Sequence, residues 1–300
     1  MSLTREPAFA GRFYPADAAQ CSAMVDRFNP QGAVRGALGA LAPHAGWKFS
    51  GATAGLSLSA IAAGKPETVI IFGAVHVLDS NKASLFASGS WRTPLGVVRV
   101  DELLAKRVLS CRHIRSDAGV HRREHSIEVE LPFLQRSLGD LMILPIMVRP
   151  GPWAEEVGRA CAMAAGDLGR RVAFVASTDL THYGPSFGFE PHGRGEAGIR
   201  WAKDVNDRRF ISLVGALDAG AIVPEAMKNK NSCGSGAVAA TIAAVRTAGL
   251  SEYSELAHTC SAECDLEEGG NPLDSVGYHA GVFRAGGDPE NSVSRETNKG

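Results

Sequence analysis

The sequence predicts an α/β fold with a largely parallel or mixed central sheet and helices on both faces. Short β-rich runs alternate with helix-period segments along most of the chain. Parallel neighbouring strands need crossover helices between them, so this alternation points to a sheet covered on both sides. No internal repeat and no long Pro/Gly/Ser linker divides the chain, so one domain over residues 1–285 is expected. The closing stretch at 286–300, G-G-D-P-E-N-S-V-S-R-E-T-N-K-G, is polar and aperiodic and reads as a disordered tail.

The expected strands come first from apolar runs of sheet length. These are 37–42, A-L-G-A-L-A; 68–72, T-V-I-I-F; 141–148, L-M-I-L-P-I-M-V; and 171–176, R-V-A-F-V-A. Continuous apolar character suits strands buried on both faces. Two later runs, 254–259 and 276–283, complete the set. Helical periodicity predicts helices over 50–63, 101–109, 153–168, 196–217 and 234–248.

Composition bounds the function classes. The chain has 300 residues, 45% of them apolar, and a formal charge of -1. With no block of like charge, neither a nucleic-acid groove nor a polybasic membrane contact is expected. The N-terminus lacks a basic-then-apolar signal pattern, and the most apolar late run, 236–245, is too short to cross a bilayer. A cytoplasmic protein with a small-molecule or peptide ligand is the expectation. Six cysteines in so long a chain fit reduced thiols better than a disulfide framework.

In open α/β sheets, ligands bind beyond the carboxyl ends of the strands. Three expected strands run directly into histidine: 37–42 into Pro43-His44, 68–72 into the turn before His76, and 171–176 into S-T-D-L-T-H-Y-G with Asp179 and His182. Neutral imidazole is the commonest protein ligand for transition metals, and ligands from neighbouring strand ends can converge on one ion. Asp179 and His182, three residues apart, can face one cleft. His182 is then a candidate proton acceptor, and Asp179 a metal ligand, an orienting group or a helix cap.

Cys233 lies in N-K-N-S-C-G-S-G-A-V, between a polar loop and an apolar helix. Helix N-termini lower thiol pKa, which suits a thiolate nucleophile or metal ligand, while tight packing beside Gly234 and Gly236 is the alternative reading. In E-H-S-I-E-V-E-L-P-F-L-Q, near-helical spacing of Ile127, Leu131 and Leu134 predicts a docked helix that Pro132 limits or kinks. His125 and Glu124 at its start are candidates for substrate contact or for holding a ligand in place. Trp47 and Tyr183 follow site residues closely and are expected at the rim. His258, Cys260 and Cys264 lack zinc-cluster spacing, and a strand followed by a turn is expected there. His113, His121, His192 and His279 have no comparable constellation, and S-C-G-S-G matches no phosphate loop, so no nucleotide is implied.

Taken together, R-E-P-A-F-A-G-R-F-Y-P, A-P-H-A-G-W-K-F-S-G, F-G-A-V-H, E-H-S-I-E-V-E-L-P-F-L-Q, S-T-D-L-T-H-Y-G, the loop around Ser232-Cys233-Gly234 and S-V-G-Y-H-A-G-V-F resemble the Memo family. Its prokaryotic members are often named AmmeMemoRadiSam system protein B. The resemblance spans about residues 5 to 285 and implies a fold similar to class III extradiol dioxygenases. It makes His44, His76 and Cys233 a metal triad and Asp179 and His182 the adjoining polar wall. One transition-metal ion is implied, with Fe(II) or Cu favoured and Zn compatible, because Cys233 where the dioxygenases carry a carboxylate softens the site. The resemblance implies metal-dependent redox or oxygenase-like chemistry on a small molecule. A noncatalytic metal- or peptide-binding module is the alternative, since animal Memo relatives are associated with phosphotyrosine-peptide recognition. A zinc-dependent hydrolase with His182 as base is a third reading.

Overall fold

The computed structural model describes residues 3–29, 36–77, 82–264 and 273–286. The tail expected at 286–300 lies outside them from residue 287 onward. Among the described residues twelve strands run in chain order: β1 Thr4–Arg5, β2 Ala37–Ala42, β3 Thr68–Gly73, β4 Ala83–Leu85, β5 Ser90–Thr93, β6 Gly96–Val100, β7 Ile114–Ser116, β8 Met142–Met147, β9 Val172–Ser177, β10 His182–Tyr183, β11 Leu250–Cys260 and β12 Ser275–Ala285. They form one sheet in the spatial order β1-β5-β6-β8-β3-β9-β2-β12-β10, with β11 on β12, and with β4 joining β8 and β7.

The centre of the sheet is parallel, because β6, β8, β3, β9 and β2 all point the same way. Antiparallel β12, β10 and β11 close one side. Successive residues of the central strands face opposite layers. Ile70, Phe72, Leu144, Ile146, Phe174 and Ala176 join the core under the helices Ala154–Asp167 and Ser235–Thr247. Val69, Ile71, Ile143, Ala173 and Val175 join the core under Trp47–Ala60 and Leu131–Leu138. This is the expected α/β architecture, with the two-residue strand period assigning each side chain to a layer.

Some elements differ from expectation for local reasons. The helix expected over 196–217 is broken into Glu196–Trp201, a π-helical turn Ala202–Asp207 and Arg208–Gly215. The π-helical turn changes which residues face the core, and it delivers Asn206 and Asp207 to fully buried positions. His125 is not on a helix: a 3-10 turn covers Glu128–Glu130, and the helix begins only at Leu131. Pro132 therefore stands in the first turn, where its missing N–H leaves no hydrogen bond unmade, and it kinks nothing. After β11 comes a helical turn, Ser261–Cys264. Among the described residues, no helix is long and apolar enough to cross a membrane.

Candidate metal centre

Strands β3, β9 and β2 are parallel neighbours, so their carboxyl ends lie at one edge. His76, the Asp179–His182 segment and His44 leave those ends in turn, and the fold thus gathers residues far apart in sequence. The rings of His44 and His76 stand 5.1 Å apart, His44 and His125 5.3 Å, and His76 and His125 4.7 Å. One ligand atom from each of these three histidines lies within 4.8 Å of the other two, and the group can hold a metal ion. Cys233 joins from the loop before the helix Ser235–Thr247, its Sγ 3.3 Å from His44 Nε2. Gly234 permits this approach, because a Cβ there would lie 2.4 Å from the Ser177 carbonyl oxygen at the end of β9.

Neighbouring groups decide which nitrogen faces the cluster. Ser177 Oγ donates its proton to the Ser126 carbonyl at 2.7 Å, so it can only accept from His44 Nδ1 at 2.8 Å. His44 therefore carries its proton on Nδ1 and turns the Nε2 lone pair towards Cys233. His76 meets Glu124 in the same manner, with Nδ1 3.0 Å from Oε1 and its backbone N–H donating to Oε2 at 2.6 Å. Glu124 is fully buried and also accepts the backbone N–H groups of His125 and Ser126 at 2.8 and 3.1 Å. A carboxylate that orients an imidazole is a recurring support of metal-ligating histidine.

The electrostatics favour neutral donors. Burial holds His44 well below its ordinary range, helped by the nearby charges of His125 and His76. Burial also lowers His125 to about 4 and His182 to about 4, with His76 adding to both. His76 is the exception: burial lowers it, but Cys233 and Glu124 outweigh that and bring it to about 10. Glu124 is held at about 2, because its hydrogen bond to His76 overcomes the effect of burial. Burial pushes the Cys233 thiol up, against the lowering expected from a helix N-terminus, since removal from water outweighs the pull of His76. Two neutral imidazole lone pairs, on His44 and His125, with one exchangeable proton on His76 and one on the Cys233 thiol, suit a cation that replaces protons on binding.

Asp179 and His182 border this cluster. Asp179 Oδ1 accepts the His44 backbone N–H at 2.8 Å, and Oδ2 lies 3.9 Å from His44 Nε2. The next helical turn, Pro185–Phe187, has Gly184 at its N-cap, so Asp179 does not cap it. Burial raises its carboxyl to about 7, against the hydrogen bond from His44. The carbonyl of Asp179 accepts the Cys233 N–H at 3.2 Å, and its own N–H points to Cys233 Sγ at 3.3 Å. Among the described residues His182 Nε2 is buried without a hydrogen-bond partner, and its ring packs on Phe187 at 5.0 Å.

Trp47 and Tyr183 are not at a rim. Trp47 is 2% exposed, and its indole N–H donates to the Val129 carbonyl at 2.9 Å beneath the site. Tyr183 is fully buried beside Phe189 and Trp201, its hydroxyl donating to Gly193 O at 2.8 Å. Among the described residues, Phe9 and Phe13 bring aromatic rings to the cluster, at 5.2 and 4.8 Å from His125. They come from R-E-P-A-F-A-G-R-F-Y-P, and their local spacing carries no sign of this. Glu128 anchors that segment: it accepts from Ala8 N, Phe9 N and Tyr14 Oη and pairs with Arg5 at 2.7 Å. His258 binds Asp207 at 3.0 Å and belongs to a separate polar cluster. His121 and His279 are fully buried, and His192 stacks on Trp201.

A family model described as Memo-like protein matches residues 5–282. A MEMO1 family protein of Methanopyrus kandleri is 36% identical over 95% of this chain and 100% of its own length. Another, from Thermococcus onnurineus, is 35% identical over 94% of this chain and 100% of its own. Among solved structures, an uncharacterized protein of Escherichia coli K12 aligns with 74% of this chain and 90% of its own at 13% identity, with a TM-score of 0.46. With a family model spanning nearly the whole chain and relatives this similar along their full lengths, the protein belongs to the Memo family.

Proposed function

We propose that this chain holds one transition-metal ion through His44, His76 and Cys233, with His125 beside them as a further donor. Its function is then metal-dependent redox chemistry on a small molecule at the same cluster. The observation that carries the reading is the convergence of three imidazoles and a thiol next to two proton-handling groups, Asp179 and His182. Imidazole with thiolate suits Cu and Fe(II) and is compatible with Zn. The bound ion would supply Lewis acidity and, for Fe or Cu, one-electron exchange.

The remaining roles fall to the chain. Glu124 and Ser177 fix the tautomers of His76 and His44. Lowered by burial to about 4, His182 is neutral near pH 7, and its Nε2, without a hydrogen-bond partner among the described residues, is able to accept a proton from a bound hydroxyl. Asp179, raised to about 7, can hold or release a proton at Oδ2 next to His44. Phe9 and Phe13 pack against His125 and form an apolar wall on that flank.

Zinc-dependent hydrolysis is a second reading, favoured by the three-imidazole grouping, which is a donor set of catalytic zinc sites. The test is anaerobic purification with metal analysis, followed by oxygen uptake with catechols and aminophenols and hydrolysis of activated esters. Oxygen consumption that needs both metal and His182 supports the redox reading. Ester hydrolysis with zinc alone supports the second, and tight binding of a ligand without turnover overturns both in favour of a binding module.

A further inference from the structure

Behind the site lies a second buried polar cluster that the metal reading does not use. The π-helical turn Ala202–Asp207 carries Asn206 and Asp207 to positions 0% and 1% exposed. Asp207 Oδ1 accepts both the backbone N–H of Thr181, at 3.0 Å, and its hydroxyl, at 2.5 Å. Asn206 Nδ2 donates to the same hydroxyl at 3.1 Å, so Thr181 Oγ1 has both its proton and a lone pair engaged. His258 closes the far side, with Nε2 3.0 Å from Asp207 Oδ2. Thr181 stands between Asp179 and His182 in the chain.

The opposite side of this turn is equally held. Leu180 N–H donates to the Gly277 carbonyl at 2.8 Å, and Gly277 N–H donates to the Thr181 carbonyl at 3.0 Å. A Cβ at Gly277 would lie 2.1 Å from Asp207 Oδ2, so this strand position must stay bare for the carboxylate to fit. A buried carboxylate is a poor way to gain stability, since desolvation offsets most of what its partners return. Burial accordingly pushes the Asp207 carboxyl up, against its bonds to His258 and Thr181. What such a group supplies is one defined geometry for the atoms it grips.

We infer that Asp207, braced by His258, is a positioning residue: it clamps the Thr181 turn and so sets where Asp179, Cys233 and His182 stand relative to the histidine cluster. Asp179 transmits the placement directly, because it binds the His44 N–H, the Cys233 N–H and Cys233 Sγ. The inference rests on the metal reading of that cluster for its consequence, but the clamp itself can be tested on metal-free protein.

The variants are Thr181→Val, Asp207→Ala, Asp207→Asn and His258→Gln, with Ile222→Ala, a buried core residue away from the site, as a destabilised control. Two signals are read beside the melting temperature: the thiolate-to-cobalt absorption at saturating Co(II), and the alkylation rate of Cys233 by iodoacetamide in metal-free protein, followed on its peptide. Thr181→Val, Asp207→Ala and His258→Gln should shift the cobalt band and raise the alkylation rate roughly tenfold, the scale on which such supporting contacts act. Asp207→Asn keeps an acceptor oxygen for Thr181 and should restore both signals. Ile222→Ala should lower the melting temperature and change neither. If Thr181→Val and Asp207→Ala behave like Ile222→Ala, the clamp is purely structural and the inference falls. If Asp207→Ala does not fold, Thr181→Val and His258→Gln decide. Absence of a cobalt band in the wild type overturns the metal reading, while the alkylation comparison still decides the clamp.

Discussion

Ser177 Oγ accepts the Nδ1 proton of His44 at 2.8 Å while giving its own proton to the Ser126 carbonyl at 2.7 Å. The last residue of a buried strand thereby sets the tautomer of the first histidine beyond its neighbour. Ser177→Ala leaves that Nδ1–H and the Ser126 carbonyl unmatched in a buried place, at a cost of about 1–3 kcal/mol. We expect metal affinity about tenfold weaker in a folded protein, as for other contacts that orient a ligand. Anaerobic competition with a chelator measures it, and unchanged affinity would remove Ser177 from the site.

Proton release should accompany metal binding. In the metal-free protein His76 is raised from 6.5 to about 10, and the Cys233 thiol is raised as well. A ligand must lose its proton to bind, so affinity should increase with pH from 7 towards 10. Stability of the metal-free protein should move the other way. A raised folded-state pKa contributes fully below 6.5, and that contribution is lost as pH climbs through about 10. Calorimetry in buffers of different ionisation enthalpy counts the protons, and melting curves with chelator present follow the second trend. A binding constant that is flat in pH contradicts the prediction.

Metal choice should depend on Cys233. A thiolate favours Cu(I) more than an oxygen donor does, while two imidazoles serve Cu, Zn and Fe alike. Cys233→Asp should therefore lose Cu(I) affinity relative to Fe(II), whereas His44→Ala weakens both. Anaerobic titrations with competing chelators compare them, with circular dichroism to check folding. Equal relative affinities in folded Cys233→Asp would leave the thiol no part in selectivity.

Glu128 should govern the N-terminal wall of the site. Its carboxylate collects Ala8 N–H, Phe9 N–H, the Tyr14 hydroxyl and Arg5 while fully buried. Glu128→Leu leaves the Arg5 charge buried without this partner, a loss on the order of 3–5 kcal/mol. Limited proteolysis should then cut near residues 5–14 well before the rest of the chain. Protection equal to wild type would show that the segment is held by its aromatic packing instead.

Much of this molecule is legible in one dimension. Runs such as T-V-I-I-F and R-V-A-F-V-A announce buried parallel strands because both faces must be apolar, and strand ends in a parallel sheet necessarily share an edge. His44, His76, Asp179 and His182 can be singled out for that reason alone. Cys233 can be singled out from its place before an apolar helix, but it is the family resemblance that adds it to the histidines as a metal ligand. The place of His125 is not legible, because a loop has no period to say which way its side chains face; the contacts of Glu124 with His76 and with the His125 backbone turn it towards the cluster. Trp47 and Tyr183 look like rim residues from their neighbours in sequence, yet the packing of whole helices buries them. Asp207 and His258 lie outside every motif, since their meeting depends on a π-helical turn and a distant edge strand brought together by folding. Periodicity encodes which face is buried, but only the packed chain decides which polar groups, once cut off from water, find one another.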